Sequence, residues 1–172
     1  MNIVLIGYRG TGKSIVAQEL AARLQMQAIS MDAEIVRLAG MSIPQIVEKF
    51  GWDRFREMES EVARAMALKD NVIVDTGGGV IERSENIAAL GQSGLIFWLQ
   101  ASVDVIVGRI EGGTERPALV AGKTFTEEVA EVLARRTPKY AAACHHAIDT
   151  DRIAPEQVAA AIITLWEKKK TA

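Results

Sequence analysis

The sequence predicts an α/β fold, a three-layer α/β/α sandwich built around a parallel sheet. Over 172 residues, short apolar segments alternate with longer segments whose apolar residues recur at helical spacing. This is the pattern of strands joined by crossover helices. The apolar segments are bounded by Gly, Asp or Asn, as expected for strands buried on both faces. The length and a hydrophobic content of 49% predict one globular domain that spans residues 1–172.

The elements follow one another without a linker or an internal repeat. Ser42 is a suitable N-cap, and Pro155 lies near a helix start, where its missing N–H group costs least. Gly51 interrupts the helical pattern, so two helices are predicted on either side of it. Strands are predicted at residues 3–6, 28–30, 72–74, 95–99 and 147–148, and helices at 13–24, 32–39, 42–50, 52–68, 85–90, 103–110, 126–142 and 155–167.

One segment has no periodic apolar face. Residues 111–123 contain three glycines together with Arg116 and Pro117. We expect a long loop between two helices here. Loops of this length inside a compact domain are usually functional or disordered.

Composition and charge argue against several classes of protein. The net charge is −2, whereas a nucleic-acid binder normally has a basic surplus on one face. No segment approaches the ~18 apolar residues of a membrane-spanning helix, and the first residues lack the pattern of a signal peptide. Cys144 is the only cysteine, so no internal disulfide can form and a reducing compartment is the simplest context. We therefore expect a cytoplasmic monomer without nucleic-acid or membrane partners.

A phosphate-binding motif follows the first predicted strand and opens the first predicted helix. It reads Gly7-x-x-x-x-Gly12-Lys13-Ser14, and this strand–loop–helix context is the one that a P-loop requires. Glycines let backbone N–H groups point at phosphate oxygens, and the helix N-terminus favours anions. Lys13 is expected to reach the β- and γ-phosphates, and Ser14 to offer a hydroxyl to Mg²⁺. The other residues expected to contact ATP in this segment are Gly10, Thr11, Gly12 and Ile15.

The motif alone leaves the type of P-loop protein open. A GTPase switch normally has an Asn-Lys-x-Asp segment that reads guanine, and the sequence has none. A motor ATPase would need a much longer chain. A small phosphotransferase is the type that remains.

Four further segments, in the same order along the chain, resemble shikimate kinase. They are SMDAEI at 30–35, WDRFREME at 52–59, DTGGGV at 75–80 and GGTERPAL at 112–119. The resemblance covers essentially the whole chain. It implies a nucleoside-monophosphate-kinase-like fold with a five-stranded sheet of order 2-3-1-4-5. It also implies ATP-dependent phosphoryl transfer to the 3-hydroxyl of shikimate, which gives shikimate 3-phosphate for aromatic amino-acid biosynthesis.

The resemblance places the acceptor in a region of about residues 32–60 and on two further segments. Asp32 is expected to hold the substrate hydroxyls and to accept the proton of the attacking one. Arg56, oriented by Glu59, and Arg136 are expected to clamp the substrate carboxylate. Three consecutive glycines suit a close backbone approach, and the resemblance implies acceptor binding by Gly77, Gly78 and Gly79, with Gly78 as the main contact.

The resemblance also implies two further residues on the nucleotide side of the site. Arg116, in a lid of about residues 111–124, is expected to reach the transferring phosphoryl group. Arg152 lies in the segment that matches the family's adenine-side loop. Together with Lys13 and Asp32, Arg116 completes the predicted catalytic residues.

The sequence departs from the family pattern at the metal site. Ser30 stands where the family has an aspartate associated with Mg²⁺. Asp75 ends a predicted strand at the place where many P-loop proteins carry a metal-side aspartate. Two interpretations stay open, in which Asp75 helps Ser14 to hold Mg²⁺ or merely ends the strand.

Two rival functions also stay open. One is another small-molecule kinase, such as a gluconate kinase, which should lack the paired arginines at 56 and 136. The other is a nucleotide-binding module that lost catalysis when Ser30 replaced the aspartate. Such a module would release no ADP in response to an acceptor, and it would not need the acceptor-side residues.

Overall fold

The computed structural model describes residues 1–110 and 124–171. All strand pairs in the sheet are parallel. The sheet has five strands in the order β2-β3-β1-β4-β5, so the predicted order is confirmed. The strands are β1 (Asn2–Ile6), β2 (Gln27–Ser30), β3 (Val72–Asp75), β4 (Gly94–Gln100) and β5 (His146–Asp149).

Helices connect the strands as predicted, and a short 3₁₀ turn at Val80–Glu82 was not anticipated. Gly51 has φ of 83° inside the third helix and kinks it, which confirms the predicted interruption. Ser42 caps that helix, with its side chain accepting from the backbone N–H of Gln45. The helices are α1 (Lys13–Leu24), α2 (Met31–Ala39), α3 (Ile43–Ala67), α4 (Ser84–Ser93), α5 (Val103–Ile110), α6 (Phe125–Ala143) and α7 (Pro155–Lys170).

The two faces of the sheet bury separate apolar clusters. Along β1, Val4 and Ile6 pack into one cluster, which includes residues of α3 and α4. Ile3 and Leu5 pack into the other, which includes residues of α1 and α7. Successive side chains of a strand point to opposite faces, so an uninterrupted apolar strand is the expected result of covering both faces.

The topology brings the polar ends of three strands to one edge of the sheet. The P-loop follows β1, Ser30 ends β2 and Asp75 ends β3. Ser30 is paired in register with Asp75, which is also paired with Leu5 near the end of β1. Ligands of open α/β sheets bind at the carboxyl ends of the strands. The candidate site is therefore expected at this edge.

No helix within residues 1–110 and 124–171 is long and apolar enough to cross a membrane. Of the predicted lid, only Thr124 falls within these residues, where its side chain caps the N-terminus of α6. Arg116 lies outside the described residues.

Candidate active site

The P-loop backbone adopts conformations that favour glycine. Gly7, Gly10 and Gly12 have φ of 146°, 81° and 93°, values that side chains rarely tolerate. A Cβ atom on Gly7 would lie 2.5 Å from the carbonyl oxygen of Leu99, and one on Gly10 would lie 2.9 Å from the side chain of Ile110. The loop therefore needs glycine for its curvature and also for the close approach of neighbouring elements.

Lys13 lies across this loop. Its Nζ donates to the carbonyl oxygens of Gly7 and Tyr8 at 2.9 and 3.0 Å, and only 8% of the residue is exposed. Thr11 also donates to the carbonyl of Tyr8, from Oγ1 at 2.8 Å. The ammonium group is thus held against the backbone of the P-loop.

Ser14 and Asp75 form the candidate metal position. The Oγ atom of Ser14 donates to Oδ2 of Asp75 at 2.6 Å. A hydroxyl and a carboxylate are hard oxygen donors, which suit Mg²⁺, and Mg²⁺ commonly takes only one or two protein ligands beside phosphate and water. Ser30, the substituted position, accepts a hydrogen bond from the backbone N–H of Ala33 and caps α2. The residues present therefore fit a Mg²⁺ ion bound mainly through substrate phosphates.

A cavity of about 340 Å³ opens in front of the cradle. It joins P-loop residues to the predicted acceptor residues Asp32, Gly77 and Gly78, whereas Gly79, Arg56 and Arg136 are not among its lining residues. Its lining includes Lys13, Ser14, Asp32, Asp75, Gly77 and Gly78.

Each glycine of the triple-glycine loop approaches a different neighbour. A Cβ on Gly77 would lie 2.8 Å from Oδ1 of Asp32. A Cβ on Gly78 would lie 3.4 Å from the P-loop, at the backbone nitrogen of Arg9, and one on Gly79 would occupy the place of the Arg56 guanidinium. The loop is therefore packed between the cradle and two predicted acceptor residues, and a side chain on Gly77 or Gly79 would displace one of those residues.

Arg56 is held as the sequence predicted. Its Nη1 donates to Oε2 of Glu59 at 2.7 Å, one helical turn away, and its guanidinium packs on the rings of Trp52 and Phe55. Glu59 is 1% exposed. Burial raises the pKa of its carboxyl, and the charges of Arg56 and Arg136 act in the opposite direction. The charges of both arginines therefore act on the same buried carboxyl.

Arg136 enters from α6 and is 4% exposed. Its Nε donates to Oε1 of Glu82 at 2.7 Å. From the same helix, the hydroxyl of Tyr140 donates to the carbonyl of Gly78. Tyr140 is fully buried, and it also fixes the triple-glycine loop, a role that its sequence position does not indicate.

The sequence analysis did not single out Arg9. This P-loop residue lines the cavity in front of the cradle, and its Nη2 lies 3.4 Å from Oε1 of Glu128 on α6. Its guanidinium also packs over the ring of Phe125. The motif leaves this position free to vary, so only the fold shows that a second cation stands beside Lys13.

A second cavity, of about 450 Å³, lies on the other side of the P-loop. Arg109 donates to the carbonyl of Gly10 at 3.2 Å and to Oγ1 and the carbonyl of Thr150. Ile153 and Pro155 complete an apolar wall, and Arg152 is not among the lining residues. The segment after β5, which we predicted to lie on the adenine side, thus borders this cavity. It does so through Thr150, Ile153 and Pro155 and not through Arg152.

Comparison with known proteins decides the family. A family model described as shikimate kinase matches residues 9–167. A shikimate kinase from Thermodesulfovibrio yellowstonii is 40% identical over 167 residues, which cover 97% of this chain and 95% of that protein. The chain belongs to the shikimate kinase family. It is accordingly a kinase, and this family uses ATP and generally needs a divalent metal ion.

A solved member of the shikimate kinase family shares this fold closely. The structure of a shikimate kinase from Acinetobacter baumannii in complex with shikimate has a TM-score of 0.93 at 31% sequence identity. The match covers 99% of this chain and 95% of that chain.

The fold alone does not separate shikimate kinases from the predicted rival. A gluconokinase from Sinorhizobium meliloti also matches, with a TM-score of 0.64 over 99% of this chain and 95% of that one. Its sequence identity is only 18%, so it shows a shared fold and nothing more. Sequence identity to shikimate kinases is what favours that family here.

Proposed function

We propose that the protein transfers the γ-phosphoryl group of ATP to the 3-hydroxyl of shikimate. The observation that carries this proposal is the position of the triple-glycine loop. Gly78 lies against the P-loop, while Gly77 and Gly79 lie against Asp32 and Arg56. A phosphate donor on the cradle and a hydroxylated acid on the other side would meet at this loop. Catalysis of phosphoryl transfer consists mostly of such positioning and of charge stabilisation.

On the donor side, the cradle holds the triphosphate. Backbone N–H groups at the start of α1 and the ammonium of Lys13 neutralise phosphate charge. Ser14 and Asp75 would hold Mg²⁺, which supplies charge neutralisation at the phosphates when bound. The other donor-side contacts that we propose are Gly10, Thr11, Gly12 and Ile15, with Arg152 and Arg116 retained as predictions from the sequence.

On the acceptor side, Asp32 orients the attacking hydroxyl. The hydroxyl oxygen forms a bond to the γ-phosphorus, the bond from that phosphorus to the bridging oxygen of ADP breaks, and the proton passes to the carboxylate of Asp32. Arg56 and Arg136 bind the carboxylate of the acid, because a guanidinium can make paired hydrogen bonds to it. Gly77, Gly78 and Gly79 bring the backbone close to the substrate.

All of these residues belong to one chain. We therefore propose that residues 1–172 work as a single P-loop kinase domain and act as a monomer. Sedimentation equilibrium at assay concentrations would test the monomer, and a stable dimer would contradict it.

Release of ADP with a panel of acids tests the function. We expect turnover with shikimate, little turnover with gluconate, and a loss of about 10²–10⁴ in kcat for Asp32→Asn. Asp53→Asn, on the same acceptor region but outside the site, serves as the matched control. Turnover with another acid but not with shikimate would contradict the proposal, and ATP binding without any acceptor-dependent ADP release would favour the impaired binding module.

A further inference from the structure

The carboxylate of Glu82 binds side chains of α6 from the turn that follows the triple-glycine loop. Its Oε1 accepts from Nε of Arg136 at 2.7 Å, and its Oε2 accepts from Nζ of Lys139 at 2.6 Å. Arg135 approaches the same carboxylate at 3.7 Å. Each carboxylate oxygen therefore has its own close cationic partner.

The three cations differ in their exposure to water. The side chains of Arg135 and Lys139 are 52% and 45% exposed, whereas that of Arg136 is 4% exposed. Exposed ion pairs contribute little because water competes for both partners. A buried guanidinium without a counter-charge is costly. Of the three ion pairs of Glu82, the one with Arg136 is therefore expected to contribute most to stability.

Glu82 keeps its charge over the whole physiological range. Partial burial by itself would raise the pKa of its carboxyl. Hydrogen bonds from Lys139 and Arg136 outweigh that effect and lower the pKa to about 2. Arg136 thus faces an ionised partner at any pH at which the enzyme would work.

The ion pair with Glu82 uses one N–H donor of the Arg136 guanidinium, and Tyr140 is a further hydrogen-bond partner of this group. A guanidinium has five N–H donors in a planar fork. Glu82 takes the Nε donor, and the charge of Arg136 is felt by Glu59, the partner of Arg56. The two arginines are therefore each held by one protein carboxylate, and the charge of Arg136 also acts on the carboxylate that holds Arg56.

We propose that Glu82 is a positioning residue for the acceptor, which fixes Arg136 so that its remaining N–H groups meet the substrate carboxylate. This inference rests on the proposed function. Holding the guanidinium in place before binding removes a conformational cost from the binding step. The glycine loop and its substrate clamp are then aligned by a residue only three positions beyond Gly79.

A competing effect has the opposite sign. The negative charge of Glu82 also weakens the attraction of Arg136 for an anion. If this were its main effect, removal of the charge would tighten substrate binding. The direction of the change in KM therefore separates positioning from simple charge compensation.

The test is steady-state kinetics of Glu82→Gln. We expect the KM for shikimate to rise about tenfold, because a charge-assisted hydrogen bond that orients the clamp is lost. The KM for ATP and kcat are expected to change less than about threefold, because the cradle is untouched. Glu57→Gln is the matched control, since Glu57 is an exposed carboxylate that pairs with Arg54, and we expect it to leave both KM values unchanged.

A double variant shows whether Glu82 affects the KM for shikimate through Arg136. In an Arg136→Met background, Glu82→Gln should cause no further rise in the KM for shikimate, because the group that it positions is gone. If Glu82→Gln does not fold, Glu82→Asp takes its place and should raise the same KM by a smaller factor. An unchanged or lowered KM for shikimate in the folded Glu82 variant overturns the inference.

Failure of the inference can be told from failure of the proposed function. If the unaltered enzyme does not phosphorylate shikimate, the proposed function is wrong. If it does, and Arg136→Met raises the KM for shikimate while Glu82→Gln does not, only the role of Glu82 is wrong.

Discussion

The proposed nucleotide cradle and the proposed acceptor side are built in different ways. The cradle is one continuous segment, in which we propose that backbone groups and Lys13 bind the phosphates. The acceptor side draws Asp32 from α2, Arg56 from α3 and Arg136 from α6, and ion pairs hold the two arginines. The cradle is therefore defined by local conformation, whereas the acceptor side depends on the packing of three helices around one loop.

The largest expected effect lies in the cradle. Lys13→Met removes the cation that we propose binds the phosphates, so kcat should fall about 10²–10³-fold, as for the loss of one preorganised charge-stabilising donor. Single-turnover ADP formation measures the loss. Lys69→Met, at an exposed lysine, is the control. A decrease of less than tenfold would mean that the cradle acts mainly through its backbone.

The next effect should appear on the acceptor side. Gly79→Ala places a methyl group where the Arg56 guanidinium lies, so Arg56 must move. We expect the KM for shikimate to rise about 10- to 100-fold and stability to fall by about 1–3 kcal/mol. Kinetics combined with urea unfolding measures both.

Gly108→Ala is the matched control for that substitution. A Cβ on Gly108 meets nothing within 4 Å among residues 1–110 and 124–171, so activity should persist and stability should rise by up to about 1 kcal/mol. If Gly79→Ala also left the KM for shikimate unchanged, the acceptor side would be less dependent on tight packing than the comparison implies.

A weaker effect is expected from a substitution at Asp75, which lies at the border between the two regions. Asp75→Asn keeps the shape of the side chain but removes its charge beside Ser14. We expect the Mg²⁺ concentration for half-maximal turnover to rise about tenfold, which is at the low end of the effect of a supporting metal-site residue. Titration of activity with MgCl₂ at saturating ATP measures it. An unchanged Mg²⁺ requirement would leave Asp75 as the last residue of a strand and no more.

The smallest expected effect is the contribution of His145 to the pH dependence of stability. It should leave the function of the cradle and of the acceptor side unchanged. Burial lowers the pKa of His145, with His146 and Lys169 acting in the same direction, and Nδ1 of His145 accepts the backbone N–H of Ile96 at 3.0 Å. In the unfolded chain the imidazole of His145 becomes protonated at about pH 6.5. In the folded protein it becomes protonated only at lower pH. The contribution of His145 to stability is thus present above about pH 6.5 and decreases as the pH falls below it.

Urea unfolding at pH 5.5 and 7.5 checks this sign. His145→Gln should show a smaller loss of stability between the two values than the unaltered protein. Its KM values for ATP and shikimate should match those of the unaltered protein, because His145 contacts neither region. A loss of stability that is equal in both proteins would contradict the assignment.

Features that depend on neighbouring residues were predicted correctly, whereas contacts between distant segments were missed. The strand order, the kink at Gly51 and the pairing of Arg56 with Glu59 were predicted and are confirmed. The pairings that were missed join residues far apart in the chain. Arg136 and Glu82 are 54 positions apart, and Arg9 and Glu128 are 119 apart.

The parallel sheet, the P-loop motif and the membership of the shikimate kinase family could all be inferred from the order of the residues alone. Apolar periodicity and a glycine-lysine motif act over a few residues, so local physics is enough to interpret them. Only the tertiary structure decided which carboxylate holds Arg136, what each of the three glycines touches, and that Asp75 meets Ser14. These contacts depend on where the helices pack on the sheet, since burying both of its faces sets distances that no local pattern encodes.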